Sequence, residues 1–91
     1  MTERTRILLH LLDEIAETLR QRNSAPWEGW IRKDIGLIGA GDLYGIRHFL
    51  SAFGGAGSLN DLFTFGSHEW KLLEEAHRIA REIERESKLS E

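Results

Sequence analysis

The chain contains no cysteine. Disulfide bonds and thiolate metal sites are therefore excluded, and a reducing compartment suits the composition. A long apolar run is also missing: charge returns at Asp13 before a secretory leader of useful length has formed. No stretch approaches the roughly 20 apolar residues that a membrane helix needs. We therefore expect a cytoplasmic protein that does not enter a membrane.

Basic residues are not in excess. Twelve Lys and Arg stand against 15 Asp and Glu, which gives a net charge of -3. Proteins that bind nucleic acid normally carry a basic patch or arm, so we expect no nucleic-acid partner. A chain of 91 residues suffices for one hydrophobic core. The sequence thus predicts one domain over 1–91, monomeric or weakly dimeric.

Four segments place apolar residues at helical spacing, and they cover 2–22, 26–40, 43–53 and 67–87. The first and last are the most regular, and we expect them to pack antiparallel or to cross. Gly36 and Gly39 weaken the second segment, which either frays near Gly36 or reaches Ala40. The pattern predicts an all-α fold, a compact bundle of about four helices with a glycine-rich loop between the third and fourth.

Two features of the predicted helices concern packing. Trp27 and Trp30 lie three residues apart and share one helix face. Exposed, the pair would be an interaction hot spot, but tryptophan is highly buried on average, so we predict that both are mainly core. Gly45, inside the third segment, predicts a close approach between two helices.

The loop before the fourth segment holds the candidate binding residues, which are Gly54, Gly55, Gly57, Ser58, Asn60 and Asp61. Glycine N–H groups ahead of a helical turn can bind an anion. However, the P-loop and nucleophile-elbow patterns both fail, since no lysine precedes Ser58 and no G-x-S-x-G occurs. We favour a structural interpretation, in which glycines take positive φ and Asp61 accepts backbone N–H bonds. The spacing of Ser58 and Asp61 resembles a capping box and predicts a short helical turn from Leu59.

The histidines give no metal signature. They are His10, His48, His68 and His77. None shows local metal-ligand spacing, so we expect no metal site and no cofactor. His48, Asp61 and His68 could form a metal site, and Ser58 with Asp61 and His68 contains the residue types of a hydrolytic triad. Geometry rather than residue type defines such sites, so we interpret these histidines as surface or boundary residues.

The run 53–62 reads Phe-Gly-Gly-Ala-Gly-Ser-Leu-Asn-Asp-Leu. It resembles the motif Phe/Tyr-Gly-Gly-Met-Gly-Ser-Phe/Leu-Asn-Asp-Leu of a bacterial family of small uncharacterised domains. The upstream tryptophan pair and the Gly-Asp and Gly-Ile steps at 41–42 and 45–46 extend the resemblance over most of the chain. Ala56 departs from the motif, where the family usually has methionine. The family has no established activity, so the resemblance implies a helical fold and no catalytic residues.

Two functions from different classes remain open. The first is a protein–protein interaction module that uses a surface near the loop, by analogy of class with small acidic bacterial immunity proteins. The alternative is a small-molecule or anion-binding domain, or a weak enzyme, that uses the loop N–H groups with Asn60 and Asp61. We favour the first and assign no catalytic residue.

Overall fold

The computed structural model describes residues 1–54 and 57–90. It contains four α-helices and one 3₁₀ turn: α1 (Glu3–Gln21), α2 (Ala25–Gly39), α3 (Tyr44–Leu50), the 3₁₀ turn (Leu59–Leu62) and α4 (His68–Ser90). Within these two stretches no strand occurs, so the predicted all-α fold with about four helices is confirmed. None of their helices combines the length and the apolar character that crossing a bilayer requires.

The ends of α1 and α2 use the same hydrogen-bonded motif. After α1, Asn23 takes a φ of 58°, and the N–H that follows it donates to the Leu19 carbonyl at 2.9 Å. After α2, Gly41 takes a φ of 83°, and the next N–H donates to the Leu37 carbonyl at 2.9 Å. This is the Schellman arrangement, which satisfies carbonyls at a helix end. Consequently α2 does not fray at Gly36 and continues to Gly39.

The third helix is shorter than predicted, because it ends at Leu50 rather than near Phe53. The carbonyl of Ala52 accepts the N–H of Leu59 at 2.9 Å instead of continuing a helix. Gly54 then turns the chain with a φ of 100°. A contact across the loop therefore sets the end of α3, and helical periodicity does not report it.

The predicted close approach at Gly45 is confirmed. A Cβ on this residue would lie 2.8 Å from the Cβ of Leu37 and 2.9 Å from Cγ1 of Ile38. Real side chains do not tolerate such distances, so α2 and α3 can pack this closely because position 45 has no side chain. The Tyr44 N–H at the start of α3 is held by the Asp42 carboxylate at 2.9 Å.

The long helices α1 and α4 pack antiparallel, which is one of the two arrangements predicted. Arg4, near the start of α1, forms ion pairs with Glu82 and Glu86 near the end of α4. At the opposite end Arg22 donates to the Leu62 carbonyl at 3.2 Å. The core between the helices is apolar and draws on all four helices and the 3₁₀ turn; its largest fully buried apolar side chains are Leu8, Leu12, Ile15, Leu19, Ile31, Phe49, Leu59 and Leu73.

The tryptophan pair is less buried than predicted. Trp27 and Trp30 are half-buried at the edge of the core, with ring centroids 5.3 Å apart. The indole N–H explains part of this position, because that of Trp30 donates to the His48 carbonyl at 3.1 Å. A polar group on an otherwise apolar ring favours a boundary site where it finds a partner.

Candidate functional site

The glycine loop has a fixed local geometry in its described part. Gly54 and Gly57 take φ values of 100° and 78°. The Asp61 carboxylate accepts the N–H of Gly57 at 2.9 Å. Both features agree with the structural interpretation of this loop. The candidate residue Gly55, like Ala56, lies outside the described residues.

The polar residues of the loop bond within the loop. The predicted helical turn is present as the 3₁₀ turn, but the Ser58 side chain makes no capping hydrogen bond. Its hydroxyl instead donates to the Asn60 side-chain oxygen at 2.5 Å, because Asn60 is only two residues away. The capping-box interpretation of Ser58 was therefore wrong. Among the described residues, no group of three or more histidines and carboxylates could hold a metal ion.

An apolar surface lies directly after the loop, and we call its residues Phe65 and Trp70 the Phe65 surface. Phe65 is 82% exposed, more than any other described aromatic side chain, and its ring centroid lies 4.5 Å from that of Trp70. Gly66, with a φ of 80°, turns the chain into α4. The Ser67 hydroxyl caps this helix by accepting the Trp70 N–H at 3.2 Å.

Trp70 also borders a shallow groove with a volume of about 270 Å³. Its walls are Phe53, Trp70, Leu73 and His77, with Asn60 and Glu74 at the rim. The His77 ring meets the Phe53 ring edge-on at 4.5 Å. Burial lowers the pKa of His77, and the nearby Arg81 guanidinium lowers it further. This end of the molecule therefore presents aromatic walls with polar groups at their edge.

A second site, which the sequence did not reveal, joins α2 to α3. Asp34 is fully buried, and its Oδ1 lies 2.5 Å from Nδ1 of His48. The His48 ring is stacked on Trp30, with centroids 4.1 Å apart and planes inclined by 19°. The other carboxylate oxygen, Oδ2, is buried without a hydrogen-bond partner among the described residues. We call Asp34, His48 and Trp30 the α2–α3 clamp.

Burial dominates the electrostatics of the clamp. It raises the pKa of Asp34 to about 6, although the hydrogen bond and charge of His48 act in the opposite direction. A carboxylate on Nδ1 fixes the orientation of an imidazole and leaves Nε2 as the outward nitrogen. Such a pair can serve a catalytic or metal-bound histidine, but it can equally lock two helices together. Its best-supported role here is structural, because it closes the α2–α3 contact that Gly45 permits.

One signal for the clamp was present in the sequence. Asp34 falls on the apolar row of α2 between Ile31 and Ile38, at spacings of three and four residues. An acidic residue on such a row is either exposed by a register change or buried with a partner. The identity of that partner, His48, depends on how α3 folds back and could not be deduced from spacing.

The fold and these sites define a small all-α domain. Residues 20–70 match the family model described as Domain of unknown function (DUF6966). This match spans more than half of the chain, so the protein belongs to that family, in agreement with the resemblance to an uncharacterised family of small domains. No curated protein and no solved structure matches the chain.

Proposed function

We propose that this domain binds another protein through the Phe65 surface. The observation that carries the proposal is Phe65 itself, which leaves 82% of its surface in water beside the half-buried ring of Trp70. Single exposed apolar residues are ordinary, but here the exposed ring lies against a second aromatic ring, that of Trp70, with centroids 4.5 Å apart. Aromatic anchors of this kind are enriched among the residues that dominate binding energy in protein interfaces.

The surface has a firm support. Phe63, between Leu62 and Phe65, is buried, and the Arg22 guanidinium lies 5.0 Å from its ring centroid. Arg22 also donates to the Leu62 carbonyl at 3.2 Å, which fixes the segment to the end of α1. An anchor that is already ordered loses less conformational entropy when a partner binds, so support of this kind favours affinity.

Anion or small-molecule binding by the loop has weaker support. The Gly57 N–H, one of the donors that such a site would use, already donates to Asp61. The groove of about 270 Å³ is also smaller than the roughly 300–1,000 Å³ of small-molecule sites. A role as an immunity protein, which neutralises a toxin by binding it, is one narrower form of the proposed function. A toxin gene beside this one would support that form.

The test compares two substitutions of exposed aromatic residues. Phe65→Ser removes the anchor, and Tyr44→Ser is the control, because Tyr44 is 52% exposed on α3. Each variant and the wild-type chain serve as bait in lysate from the source cells, with quantitative identification of the bound proteins. Both variants should melt close to the wild-type temperature, since the substitutions are exposed.

We expect one protein to be retained by the wild type and by Tyr44→Ser but lost by Phe65→Ser. With that protein purified, Phe65→Ser should weaken the Kd by about 30-fold or more, as expected for a hot-spot residue. Equal recovery by all three baits would contradict the proposal. So would a wild-type dimer, seen by sedimentation, that Phe65→Ser dissociates, because the surface would then serve self-association.

A further inference from the structure

The groove beside Trp70 continues along α4 and changes character. Its apolar end, described above, adjoins a second concavity of about 510 Å³, and Glu74 and His77 border both. Arg81 and Arg85 line the far part of the second concavity. We call the whole feature the α4 groove, with an apolar end at Phe53 and Trp70 and a basic end at Arg81 and Arg85.

The basic end results from the helical spacing. Positions 77, 81 and 85 are four residues apart, so they form one row along α4 with steps of roughly 6 Å. Arg78, on the neighbouring row, is engaged by Glu75 and Glu82. Neither Arg81 nor Arg85 forms an ion pair with any other described residue.

The two ends together specify a ligand. The apolar end is too small for a typical small-molecule ligand and suits one large side chain. The two guanidinium groups beyond it attract carboxylates. Two acidic residues, Glu74 and Glu82, also line the second concavity. Glu82 is paired with Arg4 and Arg78, so Glu74 is left to oppose the two guanidinium groups. The net charge of -3 does not prevent the basic end from attracting an acidic ligand, because exposed charges act over only about 8–10 Å at ordinary salt.

We propose that the α4 groove binds an acidic segment of a partner protein, with one large apolar side chain between Phe53 and Trp70 and carboxylates against Arg81 and Arg85. This inference rests on the proposed function, since Trp70 belongs both to the Phe65 surface and to the groove. It adds the chemistry of the partner, which the Phe65 surface alone does not specify.

The test is a selection of random peptides displayed on phage against the immobilised full chain. We expect the selected sequences to share one aromatic or large aliphatic residue followed by Asp or Glu. Synthetic peptides from the selection are then titrated against two variants of equal charge. Arg81→Glu/Arg85→Glu reverses the basic end, and Arg6→Glu/Arg47→Glu makes the same charge change at two exposed arginines outside the groove.

The groove variant should bind the selected peptides about tenfold more weakly or worse, whereas the control variant should bind them nearly as well as the wild type. Raising the salt concentration should weaken binding to the wild type, whereas it should strengthen binding to the groove variant, because salt screens the repulsion between its glutamates and the acidic peptide. Selected sequences that are basic, or equal losses in the two variants, would overturn the inference. If Phe65→Ser abolishes binding and Arg81→Glu/Arg85→Glu does not, the acidic partner is wrong while the proposed function stands.

Discussion

Replacing His48 by leucine should destabilise the domain because it leaves the buried carboxylate of Asp34 without its partner. Leucine keeps an apolar side chain against Trp30 but cannot bond to Oδ1, and Oδ2 already has no partner among the described residues. Removing one member of a buried ionic pair typically costs about 3–5 kcal/mol. We expect a loss of that size in the free energy of unfolding of His48→Leu at pH 7.

The loss should depend on pH with a definite sign. Burial raises the pKa of Asp34 to about 6 from a usual value of 3.8, so the folded state binds a proton that the unfolded state releases. A difference of about two pKa units amounts to about 3 kcal/mol against the ionised form. Without His48, the two effects that lower this pKa disappear. The stability of His48→Leu should therefore be highest near pH 4 and decrease as the pH rises from about 4 through 6, up to the raised pKa of Asp34.

The assay is urea unfolding, monitored by far-UV circular dichroism at several pH values between about 4 and 7. The matched control is Asp34→Asn/His48→Leu, which keeps the shape of the buried group and removes its charge. Other titrating groups are common to both variants, including Glu17 and Glu75, whose pKa values their arginine partners lower. These groups contribute stability that is lost as the pH falls. Because both variants contain them, their contribution cancels when the free energy of unfolding of His48→Leu is compared with that of Asp34→Asn/His48→Leu. If the difference in the free energy of unfolding between the two variants stays constant from about pH 4 to 7, the reasoning is refuted.

Four further substitutions test local packing by the same measurement. Gly45→Ala should cost about 1–3 kcal/mol because its methyl group would lie 2.8 Å from Leu37 Cβ, whereas Gly36→Ala, with nothing within 4 Å, should stabilise α2 by about 1 kcal/mol. Gly57→Ala should cost about 1 kcal/mol because its φ is 78°, and an unchanged midpoint would contradict the assigned turn. Trp30→Phe keeps a ring against His48 but loses the indole N–H bond to the His48 carbonyl, and should cost about 1 kcal/mol; no loss would show that this bond contributes nothing.

The sequence predicted the helices well where local signals define them. Asn23, Gly41 and Ser67 lie at helix ends and are residue types that stop or cap a helix by short-range hydrogen bonds. The apolar stripes of α1 and α4 then indicate which face is buried. The predicted end of α3 was wrong because the actual end depends on the hydrogen bond between the Leu59 N–H and the Ala52 carbonyl. Only the closed loop brings these two residues together.

The sites were predictable to different degrees for the same reason. The Asp61 contact to Gly57 spans four residues, so turn chemistry predicted it. The contact between Asp34 and His48 spans 14 residues and two helices, so its formation depends on the packing angle that Gly45 allows. No pattern in the sequence indicated that Phe65 is exposed, because its exposure depends on the turn at Gly66 rather than on its own residue type.

The family match separates the parts of this domain by their physical role. Residues 20–70 include the α2–α3 clamp, the glycine loop and the Phe65 surface, whereas Arg81 and Arg85 lie beyond them on α4. The clamp and the glycine loop depend on buried or strained geometry, in which a change at one residue must be compensated by its neighbours. Exposed charges on a helix have no such constraint, because replacing them alters stability by only tenths of a kcal/mol. The clamp and the turns of the glycine loop are therefore physically coupled to the fold, whereas exposed Phe65 and the charge row on α4 can change independently of it.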